Sequence, residues 1–215
     1  MNLVVGYLIY MILQMAKTMS KINNYTKSFF VEQLKCIEKL SKQKNQIEKI
    51  ISLLIKKRNT GKTIFTIGNG GSASTASHFV SDLLKTSITK KNKRFKAISC
   101  VDNLPVILAW ANDASYDDIF VEQLKNLVSK GDVVIAFSGS GKSENVVKAL
   151  RFAKKNGAIC IGFTGMHGGY FPKLCDICCT VPSNDMLIIE STHIILCHCI
   201  VDAIRNLGKP LFQYE

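Results

Sequence analysis

The sequence predicts one α/β domain with a parallel β-sheet and an N-terminal helical layer, and three observations lead to this prediction. Short apolar runs alternate with helical stretches along most of the 215 residues, which is the pattern of βαβ units. No repeat or linker divides the chain. Hydrophobic residues make up 47% of the sequence and charged residues 20%, which excludes a disordered chain and is enough to bury a core.

The first segment, residues 2–16, is apolar but too short to span a bilayer comfortably. No basic region precedes it and no small-residue cleavage site follows it, which argues against a signal peptide. Met15 and Met19 are alternative starts. Residues 1–18 are therefore interpreted as an over-extended start or a packing helix rather than a membrane anchor.

Residues 27–57 carry apolar side chains at helical spacing, which predicts one long helix or a helix pair. The helical segment is thus placed at residues 1–57 and the α/β domain at residues 58–215. In the domain, apolar runs predict strands over residues 63–67, 95–101, 133–137, 158–164 and 177–181. A last helix is predicted over Met186–Asn206, before the breakers Gly208 and Pro210.

The formal net charge of +12 raises the question of a nucleic-acid partner. Neither basic cluster, at residues 56–58 and 90–96, is accompanied by helix-turn-helix or zinc-finger spacing. Both are interpreted as solvated surface, so neither a nucleic acid nor a membrane is predicted as a partner. The positive field would favour an anionic small substrate.

The eight cysteines lack the framework of a secreted protein, and several lie in apolar runs, as buried free thiols do. A zinc knuckle built from Cys175, Cys178, Cys197 and Cys199 is disfavoured, because one residue alone separates the last pair. The cysteine pattern predicts a protein of the reducing cytoplasm.

Two segments rich in glycine and serine, residues 68–74 and 138–145, follow the first and third predicted strands. Ligands of parallel sheets bind beyond the carboxyl ends of the strands. Glycine lets the backbone approach an anion, hydroxyls donate to it, and the next helix begins with free N–H groups. Together the loops predict a site for a phosphorylated small molecule.

Three alternatives stay open on these residues. Residues 68–73 read Gly-x-Gly-x-x-Ala, like a dinucleotide fingerprint, but Asp102 comes 29 residues after Ala73 rather than about 20. Residues 141–143 read Gly-Lys-Ser, like the end of a P-loop, but Ala136 stands where the first glycine of that motif belongs. Ordinary tight turns also use glycine.

Two predicted helices carry histidine and carboxylate side chains on shared faces. His78 and Asp82 are four residues apart on the helix after the first strand, and Glu190 and His198 lie about two turns apart on the last helix, with His193 between them. Two histidines and two carboxylates could complete a tetrahedral zinc site or form an acid–base set. The alternative is that the histidines are packed core residues.

The two loops and the histidine and carboxylate residues of the two helices, taken in their order along the chain, resemble the SIS (sugar isomerase) domain. Within that family they resemble the phosphoheptose (sedoheptulose 7-phosphate) isomerases. The similarity runs from about residue 19 to residue 205 and includes the segments 68–72, 78–79, 111–116, 138–143, 164–169 and 190–198. The resemblance implies a flavodoxin-like five-stranded parallel sheet, a sugar phosphate substrate and a homotetramer with active sites between subunits.

The resemblance also implies roles for individual residues. Asp82 and His198 would be the catalytic pair, and one zinc ion per subunit would be bound by His78, Asp82, Glu190 and His198. The residues that would bind substrate are Asn69, Gly70, Gly71, Ser72, Asp102, Asn103, Ser138, Gly139, Ser140, Ser143 and Glu190.

Four positions depart from the better-known members of this family. Asp82 replaces a glutamate, Glu190 a glutamine, Leu187 an aspartate, and Gly139 a threonine. The carboxylate of Asp82 reaches less far toward a substrate carbon, and Glu190 adds a negative charge that could favour zinc.

The expected function is that of an aldose–ketose isomerase. It would convert sedoheptulose 7-phosphate to D-glycero-D-manno-heptose 7-phosphate for surface polysaccharide precursors. The alternatives are an isomerase of another sugar phosphate, and a non-catalytic SIS protein that binds a phosphosugar or the replication initiator.

Overall fold

The N-terminal part of the protein is helical, as its apolar spacing predicts. The computed structural model describes residues 2–165 and 167–212, so both outer limits of the predicted segments, residues 1 and 215, lie outside the described residues. Helix α1 (Asn2–Ser41) is 40 residues long, and α2 (Lys44–Asn59) follows after a two-residue turn. The helix predicted over 27–57 is therefore a pair. The boundary at residue 57 and the over-extended start stay predictions.

Five parallel strands form the sheet, and all five were predicted within a few residues of their observed bounds. They are β1 (Thr63–Gly68), β2 (Lys96–Ser99), β3 (Val133–Ser138), β4 (Ile159–Thr164) and β5 (Ile177–Thr180). Their order is β2-β1-β3-β4-β5, so the expected flavodoxin-like topology is confirmed. In this order β1 and β3 are neighbours at the switch point where such sheets bind ligands.

Within residues 2–165 and 167–212, six further α-helices connect and flank the strands. They are α3 (Gly71–Ser81), α4 (Leu104–Asp113), α5 (Val121–Leu127), α6 (Glu144–Lys155), α7 (Phe171–Leu174) and α8 (Met186–Asn206). The predicted last helix is confirmed, and Asp185 begins it by accepting the N–H groups of Leu187 and Ile188. Among the described residues, α8 is the helix that is long and apolar enough to cross a membrane, and 50% of its apolar window is buried inside the protein.

The sheet separates two hydrophobic cores, because successive side chains of a strand point to opposite faces. On β3, Ile135 and Phe137 pack with α2, α3 and α8, whereas Val134 and Ala136 pack with α5 and α6. Each large side chain that is fully buried stabilises the fold by about 1.5–3 kcal/mol. Because α3 and α8 share one face of the sheet, the polar residues that they carry can meet.

Candidate active site

The loop after β1 is a tight turn that only glycine allows. A β-carbon on Gly68 would lie 2.6 Å from the backbone oxygen of Ser72, and Gly70, the residue that precedes α3, has a φ of +55°. The turn brings the N-terminus of α3 to the carboxyl end of the sheet. Asn69 and Ser72 face the cavity beyond it.

The loop after β3 presents three serine hydroxyls. Ser138 Oγ accepts the N–H of Gly141 over 3.2 Å and lies 3.3 Å from Ser143 Oγ. The hydroxyl of Ser140 accepts the N–H of Lys142 over 3.2 Å. Ser143 precedes α6 without capping it through its side chain, so its hydroxyl stays on the cavity side with Ser138.

The loop after β4 braces this serine loop from outside. The N–H of Gly165 donates to the carbonyl of Gly139, and the N–H of Tyr170 donates to that of Gly141, each over 2.9 Å. Gly141 has a φ of +61° and lies so close to Gly168 that a β-carbon would meet its carbonyl group. The serine loop is therefore held in shape before any ligand binds.

The two loops enclose a cavity of about 200 Å³, and a second cavity of about 250 Å³ adjoins it. Lys142 and His167 line the second cavity, and neither was singled out as a site residue from the sequence. Hydroxyl groups, the N-termini of α3 and α6, and a lysine together suit an anion. The first cavity is lined by Asn69, Ser72, Phe137, Ser138, Gly139, Ser140, Ser143, Met186 and Glu190.

Glu190 reaches this cavity from α8 rather than from the loops. Its carboxylate lies against Gly71, where a β-carbon would be 2.5 Å from Cδ and 2.7 Å from Oε1. A carboxylate beside the first turn of α3 is stabilised by the partial positive charge of that helix end. The absence of a side chain at position 71 thus leaves the space that the Glu190 carboxylate occupies.

Met186 explains one departure from the family pattern. Its thioether occupies the space that a β-carbon at Gly139 would fill, with Ile189 behind it. A threonine at position 139 would require Met186 to move. The two positions therefore form a matched pair, and Met186 becomes a wall common to both cavities.

His78, Asp82 and His198 form a second group, farther along α3, the turn that continues it, and α8. The two Nε2 atoms are 2.8 Å apart, and Asp82 Oδ2 lies 3.3 Å from that of His78 and 3.7 Å from that of His198. Asp82 begins a π-helical turn (Asp82–Thr86) that continues α3, and Thr86 donates to its Oδ1 over 2.9 Å. Such turns occur frequently at functional sites.

The donor atoms of this group could hold a metal ion. Zinc binds histidine nitrogen and carboxylate oxygen at about 2.0–2.2 Å, so tetrahedral ligands lie about 3.3 Å from one another. The three separations of 2.8, 3.3 and 3.7 Å bracket that value. Both histidines are about half exposed and Asp82 is largely buried, so an ion has access from solvent. The donor set fits zinc.

The structure does not bring every sequence-predicted residue to one place. Glu190 is not among the clustered donors and lines the loop cavity instead. Asp102 is exposed in the turn after β2, and Asn103 caps α4 by accepting the N–H of Val106; neither lines either cavity. His193 is buried between Phe137 and Phe163, and burial lowers its pKa to about 4, so it is a neutral core histidine.

Sequence reasoning also missed Asn145 and Tyr116 as parts of the site. Asn145 is buried at the start of α6 and exchanges hydrogen bonds with Asn69. Tyr116 donates to Asn69 from the segment after α4. Tyr116 stands in a stretch that carried the family resemblance, and Asn145 ends the second segment rich in glycine and serine, so these were the available signals.

Comparisons with protein families and with individual proteins both identify similarity to sugar isomerases. The SIS domain family model matches residues 28–165. A phosphoheptose isomerase of Aliarcobacter butzleri is 36% identical over 180 residues, which is 84% of this chain and 95% of that protein.

Two solved structures share the fold. The phosphoheptose isomerase GmhA of Neisseria gonorrhoeae superposes with a TM-score of 0.80 and 25% identity, over 86% of this chain and 99% of the other. A phosphoheptose isomerase of Francisella tularensis gives 0.79 and 26%, over 88% and 98%. The similarity thus extends over nearly the full length of these relatives.

Proposed function

This chain belongs to the phosphoheptose isomerases of the SIS domain family, and from that premise we propose how its own residues carry out the reaction. The protein is an aldose–ketose isomerase that acts on sedoheptulose 7-phosphate in heptose biosynthesis. The product is D-glycero-D-manno-heptose 7-phosphate, a precursor of surface polysaccharide.

The serine loop binds the phosphate. Ser138, Ser140 and Ser143 supply hydroxyl donors, and the N-termini of α3 and α6 add backbone N–H groups and a positive field. Lys142 stands at the rim with its ammonium group. Because the loop is braced by backbone hydrogen bonds, little conformational entropy is lost on binding.

Asp82 and His198 move the protons. Asp82 removes a proton from C1 of the ketose while a proton is donated to the C2 oxygen, which gives an enediol. Return of a proton to C2 and loss of the O1 proton then yield the aldose. We assign the exchange of protons with the substrate oxygens to His198, which contacts both His78 and Asp82.

His78, Asp82 and His198 would bind one zinc ion per subunit; Glu190, which was also expected as a ligand, lies in the loop cavity instead and is proposed here as a substrate-binding residue. When bound, zinc would polarise the substrate oxygens and stabilise negative charge on them. Among the remaining predicted substrate-binding residues, Asn69, Gly70, Gly71 and Ser72 at the first loop and Gly139 at the second keep their proposed roles. Asp102 and Asn103 line neither cavity and are assigned no role in this proposal.

One observation carries this proposal: α3, which begins at the first loop, carries His78 and leads into Asp82, and α8, whose Glu190 lines the loop cavity, brings His198 to the same group. Ser72 and His78 are six residues apart on α3, so about 9 Å of helix joins the loop to the group. We infer that a phosphorylated sugar spans this distance, with its phosphate at the loops and its reacting carbons at the group.

The test is incubation of purified protein with ketose phosphates of five to seven carbons, with and without added zinc, followed by measurement of aldose formation. We expect sedoheptulose 7-phosphate to react fastest and a chelator to reduce the rate. Faster reaction of a shorter ketose would assign another sugar. Binding without turnover of any of them would assign a non-catalytic phosphosugar-binding protein.

We also propose that the protein works as a homotetramer in the cytoplasm. Phe30, Val31 and Leu34 are exposed on α1, and exposed apolar residues on one helix are typical of a surface that another subunit covers. The eight cysteines are free thiols, and burial raises the pKa of Cys160 and Cys179 to about 12, which suits a reducing compartment. Size-exclusion chromatography with light scattering tests the tetramer.

A further inference from the structure

Asn69, Asn145 and Tyr116 form a hydrogen-bond network that joins three segments of the chain. Asn69 Nδ2 donates to Asn145 Oδ1 and Asn145 Nδ2 donates to Asn69 Oδ1, each over 2.9 Å. The hydroxyl of Tyr116 donates to the same Asn69 Oδ1 over 3.1 Å. The network ties the loop after β1 to the start of α6 and to the short helical turn Tyr116–Asp118.

A backbone group determines which way both amides face. The N–H of Val146 donates to Asn145 Oδ1 over 2.9 Å, and because a backbone N–H cannot accept, that atom must be the oxygen. The atom of Asn69 that faces Asn145 Oδ1 must then be the nitrogen. The orientation of Asn69 follows, since its oxygen is left to face the amide nitrogen of Asn145 and the hydroxyl of Tyr116.

An inventory of the Asn69 amide shows what it can still offer. Its oxygen has two lone pairs, and both are used, one by Asn145 and one by Tyr116. Its nitrogen has two hydrogens, and one is used by Asn145. One N–H group is left, and Asn69 lines the cavity between the two loops.

We propose that Asn145 and Tyr116 are positioning residues that hold Asn69 as a hydrogen-bond donor toward an acceptor oxygen of the ligand. A phosphate oxygen or a carbonyl oxygen meets this requirement. The identity of the ligand as a sugar phosphate rests on the proposed function. The network itself rests on the four hydrogen bonds above.

Burial supports a positioning role. Asn145 is 2% exposed, whereas its partner Asn69 lies at the cavity wall, so Asn145 contacts a ligand-facing side chain without facing the ligand itself. Because Asn145 and Tyr116 already hold the Asn69 amide in place, ligand binding does not have to order it, and less conformational entropy is lost on binding. The network also couples the loop after β1 to the helix that follows the serine loop.

The experiment is a double-mutant cycle on ligand binding. Asn69→Ala, Asn145→Ala and the double variant are compared by calorimetry with sedoheptulose 7-phosphate, all in an Asp82→Asn background designed to abolish turnover. Loss of a hydrogen bond to a charged oxygen weakens binding by about 10-fold or more, and we expect this from either single variant. Because Asn145 acts through Asn69, the double variant should bind no more weakly than Asn69→Ala alone.

Two further variants keep the test decisive if Asn145→Ala folds poorly. Tyr116→Phe removes one hydroxyl from an exposed side chain; it should weaken binding about 2- to 5-fold and have no effect once Asn69 is alanine. Asn156→Ala, at the other end of α6, is the matched asparagine control and should bind like the parent. With Asp82 restored, Tyr116→Phe should raise KM more than it lowers kcat.

The inference would be overturned if the losses of affinity in Asn69→Ala and Asn145→Ala multiplied in the double variant. It would also be overturned if the single variants Tyr116→Phe and Asn145→Ala both bound the ligand as tightly as the parent. A failure of the proposed function looks different. In that case the chain containing Asp82 would not isomerise the sugar, while the coupling between Asn69 and Asn145 would still be measured in binding.

Discussion

Replacement of Gly71 by alanine should move the carboxylate of Glu190 without changing any charge in the site. A β-carbon at position 71 would lie 2.5 Å from Glu190 Cδ and 2.7 Å from Oε1, whereas ordinary contact begins at 3.4 Å. The carboxylate must therefore retreat by about 1 Å. Gly71 is not among the glycines with positive φ, so alanine fits the backbone there.

This substitution should affect activity far more than stability. The clash is with the end of a flexible side chain, and a shifted rotamer costs about 0.5–1.5 kcal/mol. A displacement of about 1 Å at a catalytic site, in contrast, can lower the rate by about 10²-fold. We therefore expect kcat/KM for sedoheptulose 7-phosphate to fall by about 10²-fold while the unfolding midpoint in urea changes little.

The control is Gly208→Ala, which creates similar crowding away from the site. There a β-carbon would lie 2.8 Å from Thr89 Cγ2 and 2.9 Å from Asn92 Nδ2, and Gly208 lines neither cavity of the site. This variant should keep its activity. If Gly71→Ala turned over substrate at the wild-type rate, the position of the Glu190 carboxylate would be irrelevant to function and the reasoning would be refuted.

Four further predictions concern single residues. Asp82→Asn removes the base and should lower kcat about 10²- to 10⁴-fold, whereas Asp82→Glu should retain activity; unchanged steady-state kinetics in Asp82→Asn would exclude its role as base. Ser140→Ala and Ser143→Ala should raise KM more than they lower kcat, because these hydroxyls hold the phosphate away from the reacting carbons; a normal KM with a collapsed kcat would count against the phosphate loop. His78→Ala should lose most of the roughly one zinc per chain that we expect by elemental analysis, and an unchanged zinc content would exclude His78 as a ligand. Burial lowers the pKa of His193 from 6.5 to about 4, so the unfolded chain takes up a proton before the folded chain does, and the free energy of unfolding should fall by up to about 3 kcal/mol as pH drops from 6.5 to 4. Urea titrations should show a smaller fall in the free energy of unfolding for His193→Phe. An equal fall in this variant would contradict the assignment to His193.

Much of the fold could be predicted because it depends on local patterns. The strands follow from short apolar runs, and the two loops follow from glycine and serine at strand ends. The pairing of His78 with Asp82 follows from helical spacing alone, and their atoms do lie 3.3 Å apart. Contacts between residues that are close in the sequence can therefore be predicted from residue spacing.

The rest depends on how elements pack, which residue order does not specify. Helical periodicity shows that Glu190 and His198 share a face, but not that about 12 Å of helix would place one at the loops and the other beside His78. The contact between Met186 and Gly139 joins elements 47 residues apart. Such contacts arise from tertiary packing. Comparison with the family one position at a time therefore shows that Gly139 replaces a threonine, but does not show that Met186 fills the space beside it.

In the proposed function, α3 with its π-helical continuation and α8 each carry a ligand-binding residue and, farther along, a proton-transferring residue, and this has a consequence for how the sequence can vary in length. One residue inserted into an α-helix turns everything beyond it by about 100° and advances it by 1.5 Å. An insertion between Ser72 and His78, or between Glu190 and His198, would rotate the second member of each pair away from its present direction. The irregular segment at residues 88–95 could absorb the same insertion. In this proposal, the number of residues between the two groups on each helix sets the distance between the phosphate and the reacting carbons. Related chains that use the same substrate should therefore keep this number even where the residues themselves differ.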